Sequence, residues 1–202
     1  MPINAVEVFG PTLLVAALAG NLVRSKPQSV RILASTCGAA VTNLPVGPAT
    51  AATFFLGTVG PVSAATLVFA AGYLCAAIMK QQYRASRALL VSLIITGAVF
   101  YPLTFGLSNF DPYDLGYRGL TVPALMFAFV LVGWTARAID IQLWIALAAL
   151  LYMIGAYDSN NLWDYLIFPT DPIWAAGALA IDLQRGRARR QSTKLPPCQR
   201  AG

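Results

Sequence analysis

The sequence contains no histidine among its 202 residues. Histidine is the commonest general base and metal ligand of proteins, and it is the usual axial ligand of haem. Its absence excludes Ser-His-Asp and Cys-His catalysis, and we expect neither a bound metal nor a cofactor. Glycine-rich phosphate loops of the Walker and Rossmann types are also missing from the sequence.

Charged residues are scarce. They make up 11% of the chain, whereas a soluble domain typically carries about 25%. Hydrophobic residues make up 57%, and the mean hydropathy is +0.64. A membrane-spanning helix needs roughly 20 mostly apolar residues, so the chain has room for about six to eight spans and for no separate soluble domain. The composition therefore predicts an all-α integral membrane protein.

Cysteine is too rare to form a disulfide framework. Cys37 and Cys75 lie in apolar segments and Cys198 lies in the C-terminal tail, while the predicted outer loops contain none. We interpret the first two as small buried hydrophobic residues.

Long apolar stretches make up most of the sequence. They cover roughly 8–23, 32–45, 55–79, 88–106, 119–136, 139–156 and 170–184. We predict a polytopic bundle of about seven transmembrane helices over residues 1–187, with one or two of them short or broken. Residues 188–202 form a basic tail that we expect to be disordered.

Basic residues alternate with acidic loops along the chain. Every lysine and arginine except Arg118 falls in one of four clusters. The clusters are Arg24, Lys26 and Arg31; Lys80, Arg84 and Arg87; Arg137; and Arg185, Arg187, Arg189, Arg190, Lys194 and Arg200. Because short cytoplasmic loops concentrate lysine and arginine, we predict an outer N-terminus and a cytoplasmic C-terminus. The expected partners are membrane lipids with anionic headgroups, and other membrane proteins, rather than nucleic acid.

The segment 43–61 interrupts the second and third stretches. It begins with Asn43-Leu44-Pro45-Val46-Gly47-Pro48 and ends with Gly60-Pro61, which disrupt helical hydrogen bonding. Residues 32–58 could form one span, a re-entrant pair or a broken helix. We predict a break at 43–48 that faces the bundle interior, with the Asn43 side chain satisfying its backbone groups. Asn43 is thereby a candidate binding residue.

The outer loops hold the other candidate site residues: Asp111, Asp114, Asp158 and Asp164. Carboxylate oxygens suit a cation, and they could also act on a substrate.

Capping is the competing interpretation of these acidic residues. Asp111-Pro112 and Asp171-Pro172 both have the pattern of an N-cap followed by proline at the first helical position. Asp158, with Ser159 and Asn160, could cap a short helix that carries Leu162 to Leu166.

Aromatic residues accumulate near the same predicted face, where an interfacial belt is expected. They are Tyr101, Tyr113, Tyr117, Tyr152, Tyr157, Trp163, Tyr165 and Trp174.

Three short segments carry a family resemblance. They are Asn43-Leu44-Pro45-Val46-Gly47, then Phe110-Asp111-Pro112-Tyr113-Asp114-Leu115-Gly116-Tyr117, and Asn161-Leu162-Trp163-Asp164-Tyr165-Leu166 followed by Asp171-Pro172. Together they resemble a group of small uncharacterised polytopic proteins of the bacterial inner membrane. The resemblance implies that location and transfers no activity.

Three functions remain open from the sequence. The preferred one is a non-catalytic membrane subunit or scaffold. The second is a small-solute or ion carrier with its site near the broken segment 43–61, and the third is a lipid-modifying enzyme that uses outer-loop carboxylates.

Overall fold

Helices occupy the apolar stretches in the computed structural model, which describes residues 5–47, 49–79, 81–117 and 120–194. The helices are α1 (Ala5–Leu22), α2 (Gln28–Thr42), α3 (Ala51–Val59), α4 (Ala64–Met79), α5 (Arg87–Pro102), α6 (Thr121–Thr135), α7 (Ile139–Met153), α8 (Leu162–Leu166) and α9 (Thr170–Lys194). A π-helical turn, Leu103–Leu107, continues α5, and a 3₁₀ helix spans Asp114–Tyr117. The all-α prediction is confirmed. Arg118 lies outside the described residues.

Two helical segments are long and apolar enough to cross a membrane, namely Arg87–Leu107 and Leu162–Arg187. Four further apolar helices are shorter: Val8–Leu22, Ala64–Met79, Thr121–Thr135 and Ile139–Met153. Length and composition alone therefore support two spans in the part of the chain that is described.

The break in the chain after α2 is where the prolines predicted it. Helix α2 ends at Thr42, and strands β1 (Pro45–Val46) and β2 (Ala49–Thr50) pair antiparallel before α3 begins. The predicted orientation of this break is wrong, because Asn43 and residues 44–47 are exposed and do not face the bundle interior. The Asn43 amide donates to Ala39 O at 2.8 Å, so this side chain closes the end of its own helix. A second break, at residues 60–63, divides the predicted third stretch between α3 and α4.

Two other expectations need correction. Cys37 and Cys75 are exposed on helix surfaces rather than buried. Helix α9 continues through Lys194, so a helix occupies residues 188–194, which we expected to be disordered. The remainder of that tail, including Cys198, lies outside the described residues.

The core joins three groups of helices. Helix α1 packs on α2 and α4, α5 packs on α9, and α6 packs on α7. Helix α7 connects the groups, because it contacts both α4 and α5. Trp144 on α7 is fully buried, and its indole donates to Leu166 O at 2.7 Å. This bond ties α8 to the bundle, because a buried indole N–H needs an acceptor.

The described parts of the four basic clusters lie at one end of the bundle. Gln28 donates to Ile78 O at 2.6 Å and joins the first cluster to the second. The Ser86 hydroxyl and backbone N–H donate to Asp140, at 2.8 and 2.6 Å, and join the second to the third. Arg87 and Asp182 form a 2.7 Å ion pair that adds α9. We call this the basic end. The acidic loops meet at the opposite end, the acidic end.

Candidate functional site

At the acidic end, the loop after α5 is held to α8 by hydrogen bonds. Trp163 Nε1 donates to Pro112 O, and Asn161 Nδ2 donates to Tyr113 O, both at 2.9 Å. Asn161 also caps α8, since its Oδ1 accepts from Trp163 N at 3.0 Å. The short helix was predicted, but its cap is Asn161 rather than Asp158, Ser159 or Asn160.

Asp164 links the same two loops through its carboxylate. The Tyr113 hydroxyl donates to its two oxygens at 3.1 and 3.0 Å, and the Ser159 hydroxyl donates to Oδ2. Burial raises the pKa of Tyr113, and hydrogen bonding to Tyr117 and the Asp164 charge raise it further. The Tyr113 hydroxyl is therefore protonated at neutral pH and acts as the donor.

The other predicted carboxylates do not join Asp164 in one cluster. Asp111 accepts from Tyr113 N at 2.9 Å, which makes an Asx turn before the 3₁₀ helix rather than the N-cap of an α-helix. Asp114 begins that 3₁₀ helix, and Asp158 is exposed. No group of three or more carboxylates or cysteines within the described ranges is placed to hold a metal ion.

A cavity of about 480 Å³ lies beside Asp158 and Asp164. Seven of the fifteen residues that line it are aromatic: Phe100, Tyr101, Phe105, Tyr113, Tyr157, Trp163 and Phe168. The buried hydroxyl oxygens of Tyr101 and Thr104 have no hydrogen-bond partner among the described residues. Asp111, Asp114 and Asn43 lie outside this cavity.

The aromatic belt is only partly present. Tyr117 and Tyr152 are exposed, as a belt requires, but Tyr157, Trp163 and Tyr165 are at most 6% exposed. Tyr157 and Tyr165 stack with ring centroids 4.9 Å apart. Trp174 is not part of this end, since it packs on Phe69 and lines the cavity at the basic end.

Asp171 is not the N-cap of the last helix. It lies inside the first turn of α9, is 2% exposed, and accepts from the hydroxyls of Ser63 and Thr66 at 2.6 and 2.5 Å. Its Oδ2 also accepts from Phe168 N at 2.7 Å. The carboxylate therefore joins the start of α9 to the start of α4.

A larger cavity, of about 960 Å³, opens among the basic clusters. Four arginines from three of the clusters line it: Arg24, Arg31, Arg84 and Arg185. One acidic side chain, Asp182, lines it too, and this carboxylate is paired with Arg87 from outside the cavity wall. The cavity is thus cationic, and among the described residues it is the strongest candidate for a binding site.

Arg31 is the unusual member of this set. It is 8% exposed, and its Nε has no hydrogen-bond partner in the described parts of the chain. The sequence places Arg31 in a basic cluster, where an exposed charge is the ordinary expectation, and nothing in the local pattern signals its burial.

Comparisons with family models, curated proteins and solved structures find no match to this chain. The resemblance to small inner-membrane proteins therefore remains a prediction.

Proposed function

We propose that this chain is a polytopic protein of the bacterial inner membrane that serves as a non-catalytic subunit or scaffold. Helices α1, α2, α4, α5, α6, α7 and α9 cross the bilayer, and the basic end faces the cytoplasm.

The observation that carries the proposal is that all seven helices expose large apolar side chains. On α5, Val91, Ile95 and Val99 follow each other at four-residue spacing and are 41%, 58% and 56% exposed. Large exposed apolar side chains on the other six include Leu18, Leu33, Met79, Phe127, Leu143 and Ile173. Water would penalise this surface by about 25 cal/mol per Å², whereas lipid would not.

The short helices are compatible with a bilayer. Helices α6 and α7 have 15 residues each, which corresponds to roughly 22 Å at 1.5 Å per residue. This is below the hydrocarbon thickness of about 30 Å, and local thinning of the bilayer can accommodate the difference. Length therefore does not exclude these helices as spans.

The gathering of basic clusters at one end supports the orientation. Three hydrogen-bonded contacts, from Gln28, Ser86 and Arg87, join segments that the positive-inside rule assigns to the cytoplasm. The contacts between these loops and their positive charge therefore both favour the cytoplasmic side.

The acidic end favours a structural role over catalysis. Asp164 and Asp111 are engaged by Tyr113, and Asp171 by Ser63 and Thr66. The carrier alternative places its site near the broken segment 43–61. Gly60 and Pro61 of this segment line the smaller cavity, whereas residues 43–47 line neither cavity.

Purification in mild detergent tests the subunit role. We expect a second membrane protein at fixed stoichiometry, measured as particle mass after subtraction of bound detergent, and we expect a harsher detergent to release it. A particle that contains a single copy of this chain and no second protein would contradict the subunit role and leave the carrier as the better hypothesis.

A further inference from the structure

The cavity at the basic end holds more positive charge than its own acidic residues neutralise. Four guanidinium groups line it, and the single lining carboxylate, that of Asp182, accepts from Arg87 Nε at 2.7 Å. Within the described chain, no carboxylate lies within ion-pair distance of Arg24, Arg31, Arg84 or Arg185. An anion from outside the chain would balance this charge.

Arg31 shows where such an anion would be held. Burying an ionised group without a partner costs several kcal/mol. Arg31 is nevertheless 8% exposed, lines the cavity, and leaves Nε without an acceptor among the described residues. A guanidinium presents a planar fork of N–H donors that matches the oxygens of a phosphate group.

Tyr83 adds a neutral donor in the same cavity. Its hydroxyl is buried, lines the cavity, and has no partner in the described ranges. Burial raises the pKa of Tyr83, and the negative charge of Asp140 raises it further, so the hydroxyl keeps its proton.

Part of the cavity lining is apolar. Along α9 the lining residues run from Arg185 to Trp174, a length of about 16 Å at 1.5 Å per residue. Tyr73 and Leu90 complete this wall. The cavity thus combines cationic side chains with an apolar surface, which complements an amphiphile with an anionic head.

We propose that this cavity is a specific site for the phosphate group of an anionic amphiphile, with Arg31 as its principal ligand. Arg24, Arg84 and Arg185 surround the same group. A phospholipid headgroup and a soluble phosphate ester share this chemistry. The lipid source rests on the membrane topology proposed above, whereas the phosphate site does not.

The test uses the full chain purified in a non-ionic detergent. Binding of phosphatidylglycerol is measured by native mass spectrometry, with zwitterionic phosphatidylcholine for comparison, and binding of inorganic phosphate is measured by titration calorimetry. We expect saturable binding of phosphatidylglycerol. Arg31→Gln should weaken it roughly tenfold or more, since hydrogen bonds to a charged group contribute about 1.5–3 kcal/mol.

Arg187→Gln is the matched control. Arg187 is exposed at the same end and does not line the cavity, so this variant removes the same charge and should change the affinity less than about twofold. If Arg31→Gln does not fold, Arg84→Gln replaces it, because Arg84 lines the cavity but is exposed. Arg84→Gln should weaken binding more than Arg187→Gln does.

Four outcomes are informative. If the cavity variant and Arg187→Gln lose affinity equally, the attraction is diffuse and the proposed site is wrong. The proposal is also wrong if neither phosphatidylglycerol nor inorganic phosphate binds saturably. Binding of inorganic phosphate without phosphatidylglycerol would retain the phosphate site and reject the lipid source. Binding of phosphatidylglycerol that depends on the cavity arginine supports the proposal in full.

Discussion

Replacing Asp171 with alanine is expected to lower the free energy of unfolding by about 3–5 kcal/mol, because it leaves three hydrogen-bond donors without their acceptor and each buried donor left unsatisfied costs about 1–3 kcal/mol. The carboxylate accepts from Ser63, Thr66 and Phe168, and it is 2% exposed. The Ser63 hydroxyl is fully buried, so water cannot replace the lost acceptor there. An N-cap alone would account for only about 0.5–2 kcal/mol.

Asp171→Asn separates the two roles of this residue. An asparagine would cap a helix as well as aspartate does. In the network described here it replaces one acceptor oxygen with a donor and removes the charge, so it should be measurably destabilising, though less so than alanine. Asp158→Ala is the control, because Asp158 is exposed and should change stability by less than about 0.5 kcal/mol. Unfolding in detergent by heat or denaturant measures all three, and an Asp171→Ala protein as stable as the control would refute the network.

Gly116→Ala is the second large effect, with an expected loss of about 3 kcal/mol from overpacking and from broken hydrogen bonds. A Cβ at Gly116 would collide with the Asn161 amide and would lie 2.7 Å from Trp163 Cδ1. Asn161 is fully buried and cannot move aside without losing its bonds to Tyr113 O and Trp163 N. The loop after α5 should therefore detach from α8.

Gly177→Ala provides the control for the glycine prediction. Gly177 lies on α9 with nothing within 4 Å of an added Cβ, so alanine should stabilise the protein by roughly 0.5–1 kcal/mol through helix propensity. The two substitutions add the same atom and should have opposite signs in the same unfolding experiment. Equal stability of Gly116→Ala and the unmodified chain would show that the two loops are not packed as described.

The sequence predicted the helices because apolar run length and charged boundaries are local properties. Ser86, for example, ends a basic loop and caps α5 by accepting from Leu89 N at 3.1 Å. The gathering of the basic clusters at one end also followed from sequence, since charge alternation along an up-and-down bundle specifies which loops share a side.

A local sequence pattern cannot identify hydrogen-bond partners that lie far apart in the chain. The sequence Asp171-Pro172 is the same whether the aspartate caps its own helix or bonds to a neighbouring helix. Its partner Ser63 lies 108 residues away. Asn43 shows the same limit. Proline and glycine predicted the break beside it, but the direction in which the break faces depends on how α1 and α2 pack.

The burial of a charged side chain could not be predicted from the sequence either. Arg24 and Arg31 belong to one cluster in the sequence, but only Arg31 is buried. This difference in burial arises from the helices that surround the cavity. The sequence therefore did not predict the strongest candidate site, and its candidate residues were mainly the outer carboxylates.

The central claim is that seven helices span the membrane with the basic end inside, and cysteine accessibility tests it most directly. Single cysteines replace Asn160 at the acidic end, Ser29 at the basic end, and Leu18, Phe127 and Leu143 on short helices, in a chain without its native cysteines. Asn160 and Ser29 are exposed, and so are the three apolar side chains.

In intact cells, an impermeant thiol reagent should label the cysteine at position 160 and not the one at position 29, which should react only after the membrane is opened. Cysteines at positions 18, 127 and 143 should resist the reagent on both sides of the membrane and react after denaturation, because a thiol surrounded by hydrocarbon does not ionise. Labelling of these three positions in native membranes would show that the short helices lie in water and would contradict the seven-span account. Labelling at position 29 rather than 160 in intact cells would reverse the orientation.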